Sequence, residues 1–141
     1  MKLSKITKLT LVTFSLVLFV MVAKSQTTNT QTKKNVNTND PEITFENIVH
    51  NYDTIKKGSD GACEFKFKNT GKEPLILSNV RSSCGCTVPT WPKDPILPGK
   101  TGIINVVYDT QRVGGINKSI TVLSNAKTST VVLSIKGMVI E

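Results

Sequence analysis

Two of the chain's three cysteines stand one residue apart in Ser82-Ser83-Cys84-Gly85-Cys86-Thr87. Thiols at that spacing can clasp a soft metal, exchange disulfides, close a bridge of their own, or pack as small apolar groups. Zinc asks for four ligands, and this chain offers three cysteines and one histidine, His50. Cu(I) accepts thiolates readily, so copper is the metal that Cys84 and Cys86 would suit. Thiol-redox sites more often space their cysteines C-x-x-C at a helix N-terminus, whose dipole lowers a thiol pKa. A bridge between Cys84 and Cys86 meets a geometric limit. Two residues of flat strand span about 6.6 Å, close to the ceiling of about 7 Å for bridged Cα atoms, although Gly85 can fold the backbone and shorten that gap. We favour packed thiols on one strand face, since free cysteine is among the residues most often buried. With three cysteines, at least one stays unpaired within the chain.

Other chemistry finds little to work with. There is no G-x-S-x-G elbow and no glycine-rich phosphate loop, and the one histidine has no nucleophile beside it to activate. His50 precedes an acidic, polar stretch and reads as a solvated loop residue. Asp94 and Asp109 stand singly rather than as a carboxylate pair. The expectation is a protein that is not an enzyme, with no cofactor and no metal.

The compartment bears on the thiols, and the N-terminus bears on the compartment. Lys2, Lys5 and Lys8 precede an uncharged run from Leu9 to Ala23, followed by Lys24 and Ser25. A basic start, an apolar stretch and small residues two apart make a signal peptide over 1–25. The apolar run is shorter than the roughly 18–20 residues that span a bilayer, so no stable membrane span is expected after cleavage. The protein is expected to be exported: periplasmic, in the cell envelope or secreted. Taking away the four lysines of the leader leaves 14 basic against 10 acidic side chains, a net charge of +4. The basic residues are scattered and form no stripe of the kind that binds nucleic acid. Residues 26–40 are rich in Thr, Asn and Gln with Val36 as the one aliphatic. They bury too little to offset the entropy of ordering and read as a flexible polar spacer.

The elements that must position the cysteines lie in residues 41–141, which read as strands throughout. Cys63, Phe65 and Phe67 alternate with Glu64, Lys66 and Lys68, giving one buried face and one wet face. That places Cys63 in the core, and Asn69-Thr70-Gly71 closes the strand as a turn. Residues 74–80 form a more continuous apolar run. Ile104, Val106 and Tyr108 share one parity, as do Ile120 and Val122, and Val131, Leu133, Ile135 and Val139 share another face. Turn residues recur near every ten positions, so the expected fold is all-β, an immunoglobulin-like two-sheet sandwich of seven or eight short antiparallel strands. Pro89, Pro92, Pro95 and Pro98 recur every third residue. That period matches polyproline II and reads as a rigid crossover between the two sheets, with Trp91 packed onto the sandwich edge. Pro98-Gly99 suits the centre of a type II turn.

The motifs S-C-G-C-T-V-P-T-W-P, I-L-P-G-K-T-G-I-I-N-V-V-Y-D-T, N-K-S-I-T-V and the closing L-S-I-K-G resemble the bacterial family known as domain of unknown function 1573. The likeness extends upstream through I-T-F-E-N-I-V-H-N-Y-D-T-I-K-K-G and covers nearly all of residues 43–139. The resemblance implies a small exported protein with an immunoglobulin-like sandwich, similar to modules of the Hydin and major-sperm-protein type, and no established catalytic activity. One departure is Tyr52-Asp53, where the family pattern more often has Phe-Gly. The expected function is therefore an exported binding or structural module whose partner is an envelope protein or polymer. The alternative is a copper-handling or thiol-redox protein centred on Cys84 and Cys86. The residues singled out are Cys84, Gly85, Cys86, Trp91, Pro98 and Gly99.

Overall fold

The computed structural model describes residues 39–141, so the expected signal peptide and nearly all of the expected spacer lie outside the described residues. Eight strands follow in order: β1 (Ile43–Phe45), β2 (Val49–Lys56), β3 (Ala62–Asn69), β4 (Leu77–Ser82), β5 (Thr87–Thr90), β6 (Thr101–Tyr108), β7 (Gly114–Ser124) and β8 (Thr130–Ile140). They form two four-stranded sheets, ordered β1-β3-β6-β5 and β2-β8-β7-β4.

Alternation decides which faces meet. In β3 the side chains of Cys63, Phe65 and Phe67 are buried while Glu64, Lys66 and Lys68 are exposed. Phe65 lies opposite Ile104 and Cys63 opposite Val106 on β6. In the other sheet Ile120 faces Leu133 and Val122 faces Val131. The two inner faces share one core, in which Phe65, Phe67, Ile104, Val106, Ile120, Leu133, Ile135 and Val139 are almost fully enclosed. Each such side chain contributes about 2 kcal/mol of hydrophobic stabilisation. The expected all-β sandwich is what forms, with eight strands and no helix among the described residues.

One strand pair departs from the antiparallel rule. β2 runs parallel to β8, and its register breaks between Asn51 and Thr54. Asn51 pairs with Lys136 and Thr54 with Met138, so Tyr52 and Asp53 together oppose Gly137 alone. This is a β-bulge. Asp53 takes the left-handed conformation there, with φ of 53°. Aspartate tolerates that region better than most residues because its short polar side chain bonds locally. Asn51 Nδ2 donates to Asp53 Oδ1 at 2.6 Å, and the Asp53 N–H donates to Asn51 Oδ1 at 3.1 Å. Across the bulge Gly137 is required by close approach, since a Cβ there would lie 2.9 Å from Tyr52 Cβ.

The proline-rich segment differs from its expected role. Thr87 to Thr90 pair with β6 as an edge strand, and Pro89 is accommodated because an edge strand can spare an N–H. The chain after Thr90 then returns to its own sheet through β6, so this segment is not the crossover between sheets. Ile96 does reach the other sheet's side, where its N–H donates to Leu75 O at 2.8 Å and its carbonyl accepts from the Leu75 N–H at 2.9 Å. Pro98-Gly99 forms the expected turn: the Lys100 N–H donates to Leu97 O at 3.0 Å, and Gly99 has φ of 76°. The passage between sheets happens earlier. β4 belongs to one sheet and β5 to the other, which makes Ser83-Cys84-Gly85-Cys86 the β4–β5 crossover, one of several in the sandwich.

Candidate functional site

Placement of Cys84 and Cys86 in a turn, not on a strand, changes their chemistry. Their Cα atoms are 5.3 Å apart and their sulfurs are bonded as a disulfide. The expectation of two packed free thiols is thus corrected. A flat strand would hold the pair near the limit for bridging, whereas the crossover folds the backbone and brings them together. As a disulfide neither sulfur is a thiolate, so a Cu(I) clasp would first require reduction. Gly85 is exposed, has no left-handed φ, and a Cβ there would meet nothing within 4 Å. The bridge therefore closes without any special demand on that residue.

The neighbours of the bridge are polar and ordered. The Ser82 hydroxyl lies 2.5 Å from the Cys84 carbonyl oxygen and 2.6 Å from that of Thr87, with its single proton between them. The Ser83 N–H donates to Ser119 O at 2.8 Å, and the Ser119 N–H returns a bond to Ser83 Oγ at 3.2 Å. The Asp109 N–H donates to Cys86 O at 2.9 Å. Thr87, 2% exposed, sets its hydroxyl 3.8 Å from Cys84 Sγ and 3.9 Å from Cys86 Sγ. Cys86 is buried and Cys84 is only half-buried.

The other singled-out residues do not join this cluster. Cys63 is the free cysteine, buried in the core as its alternation predicts. Burial pushes its thiol pKa up, and a hydrogen bond with Tyr52 offsets part of that rise. Burial also raises the Tyr52 phenol, which donates to Gly61 O at 2.6 Å. His50 is not in a loop: it lies within edge strand β2, its ring edge-on to Tyr52 with centroids 4.5 Å apart. Trp91 packs half-buried against the core, with Lys93 Nζ 3.1 Å from its ring centroid. Among the described residues, no three His, Cys, Asp or Glu side chains converge.

Asn69 is a residue whose weight the sequence reading missed. It is fully buried, and its Nδ2 donates to Glu73 O at 2.7 Å and to Ile96 O at 2.9 Å. Its Oδ1 accepts from the Gly71 N–H at 3.0 Å. The signal was present: Asn69 continues the inward parity of Cys63, Phe65 and Phe67, although its type suggested only a turn.

On the outer face of the first sheet, Ala62, Val107 and Val88 are cross-strand partners in one row. All three are exposed, Val107 at 52% and Val88 at 59%. The row ends at β5, an edge of its sheet.

A model of the family described as protein of unknown function (DUF1573) matches residues 43–139. The chain belongs to this family. Among solved structures it is similar to a protein of unknown function from Porphyromonas gingivalis W83, with a TM-score of 0.64 and 15% identity. That match covers 72% of this chain and 48% of the other, so the chain spans about half of that protein's length. It is also similar to the ASH / PapD-like domain 7 of human CEP192, with a TM-score of 0.60 and 10% identity over 72% of this chain and 87% of that one. The Vibrio cholerae VesB protease matches with a TM-score of 0.54 and 13% identity over 74% of this chain and 32% of that one. At such identities the likeness is one of fold, and it shows the immunoglobulin-like two-sheet sandwich. No curated protein matches the sequence.

Proposed function

We propose that this DUF1573 chain is an exported, non-catalytic binding module of the cell envelope, holding an envelope protein or polymer at an open sheet edge. The observation that carries it is the row Ala62–Val107–Val88, an exposed apolar line across three strands that ends at the unpaired side of β5. An edge strand offers main-chain hydrogen bonds to an added strand, and outward side chains supply the specificity. Scattered surface valines need no partner, but a continuous cross-strand row at an open edge is the pattern of a contact surface. Export is supported by the basic and apolar leader, and by the presence of a disulfide, a bond that forms in oxidising compartments and is rare in the reducing cytosol.

Envelope extracts passed over the immobilised domain test this. The wild-type domain is expected to retain a partner that the double variant Val88→Asp/Val107→Asp, with an unchanged melting temperature, releases. Equal retention by both proteins, or a full-length chain recovered uncleaved from the cytoplasm, would sink the proposal.

A further inference from the structure

We propose that Cys84–Cys86 is a thiol–disulfide exchange site that takes two electrons from a polypeptide carrying two cysteines, with Thr87 stabilising the thiolate it forms. The proposal goes beyond the binding module: the exchange is a one-to-one, stoichiometric transfer at the β4–β5 crossover, and it does not depend on partner binding at the β5 edge.

Three observations converge on this bridge. The first is access: Cys84 is half-buried beside exposed Gly85, whereas Cys86 lies inside at 5% exposure. Of the two residues Cys84 is the more exposed, although it also packs against the core, which favours attack at Cys84 Sγ with Cys86 Sγ as the departing group. The second is the Thr87 hydroxyl, which is buried and whose only partners among the described residues are the two sulfurs. A disulfide sulfur has no proton to give, so this hydroxyl must donate, and neutral sulfur is a weak acceptor. A thiolate is a strong, charge-assisted one. Reduction thus turns an under-used buried donor into a well-used one when Cys86 is left as the thiolate, which biases the equilibrium toward that reduced form. The third is that the crossover is held by bonds that do not run through sulfur: from Ser82 to the Cys84 and Thr87 carbonyls, from Ser83 to Ser119 and from Asp109 to Cys86. Such bonds would keep the two thiols side by side for the return reaction.

The exchange balances. The first thiolate of the partner attacks Cys84 Sγ, forming a mixed disulfide and breaking the Cys84–Cys86 bond. The electron pair goes to Cys86 Sγ, where the Thr87 hydroxyl donates to it. The partner's second thiol, as thiolate, then attacks its own sulfur in the mixed disulfide and expels Cys84. The partner leaves oxidised and two electrons remain on the pair; of the partner's two thiol protons one ends on Cys84 and the other passes to solvent, leaving Cys86 as the thiolate that Thr87 holds. A leaving thiolate stabilised in this way departs faster.

The oxidised full chain is equilibrated with mixtures of reduced and oxidised glutathione, then alkylated and weighed. Reduction of the Cys84–Cys86 bond within that range is expected. Thr87→Val should favour the disulfide by about tenfold in the equilibrium constant, the scale of one hydrogen bond to a charged group, and Thr87→Ser should stay close to wild type. Brief exposure of the wild-type protein to glutathione followed by acid and alkylation should place glutathione on Cys84 and the alkyl group on Cys86. A reduced peptide with two cysteines should gain its disulfide one-to-one as the protein's bridge opens. A bridge that stays oxidised throughout, glutathione on Cys86, or an equilibrium unmoved by Thr87→Val would each overturn the proposal and leave a structural cross-link.

Discussion

Replacement of Asn69 by alanine is expected to cost the domain about 3 kcal/mol. The side chain is fully buried and makes three bonds to backbone, to Glu73 O, Ile96 O and the Gly71 N–H, each worth about 1 kcal/mol net. Ile96 O retains a bond from the Leu75 N–H, which keeps the loss from being larger. In a domain of this size the loss lowers the melting temperature by on the order of 15 °C. Asn69→Asp is the sharper test, because it preserves shape and reverses one atom's role. A carboxylate oxygen would then face the Glu73 and Ile96 carbonyl oxygens where Nδ2 now donates at 2.7 and 2.9 Å. Acceptors facing a buried carboxylate favour its protonated form, so the folded pKa of the introduced carboxyl group rises above the unfolded value of about 3.9. Stability is then greatest below about pH 4 and falls as pH climbs through the raised pKa. Urea unfolding of wild type and both variants at pH 4 and pH 7 measures this. An alanine penalty below about 1 kcal/mol, or an aspartate penalty equal at both pH values, would refute the assignment of Asn69 as the tie between the β3 turn and the proline-rich segment.

Asp53→Gly should leave stability unchanged or raise it by up to about 1 kcal/mol, while Asp53→Val should lower it by about 1–2 kcal/mol, since only the first relieves the left-handed backbone; chemical denaturation of the two variants decides. Trp91→Ala should cost about 1–3 kcal/mol, and the wild-type tryptophan should emit at blue-shifted wavelengths; full quenching by iodide with no stability loss would mean that Trp91 does not pack on the core. Thiol counting should find no rapidly alkylated cysteine in the native protein at pH 8, because burial raises the Cys63 thiol pKa. Denaturation should expose one thiol and reductant all three, and two reactive thiols before reduction would contradict the Cys84–Cys86 bond. Gly85→Ala should change stability by no more than about 0.5 kcal/mol, as its Cβ enters open space; a larger loss in thermal unfolding would mean that the crossover is tighter than described.

Much of the sandwich was legible in local pattern. The period-two alternation of β3 and β6 named the buried set Cys63, Phe65, Phe67, Ile104, Val106 and Tyr108, and all six lie in the core. Alternation works because successive side chains of a strand point to opposite faces. Each residue's side is therefore written beside its neighbours. Pro98-Gly99 was legible for a similar reason, its turn being set by the φ preferences of two adjacent residues.

What the tertiary structure alone decided depends on residues far apart in the chain. The Cys84-Gly85-Cys86 stretch reads by itself as a strand face with two packed thiols, and it becomes a turn only once Ser83 is seen bonded to Ser119 and Cys86 to Asp109. Those two bonds tie one end of the stretch to each sheet, and the bend between them makes the disulfide. The parallel pairing of β2 with β8 and the anchoring of Ile96 on Leu75 are of the same kind. A strand's own sequence fixes which side chains point inward, but its partner and direction follow from closing loops so that every inner face is covered. Asn69 shows both at once: its parity marks it as buried, and only the folded chain supplies the two carbonyls that make burial of a polar side chain favourable.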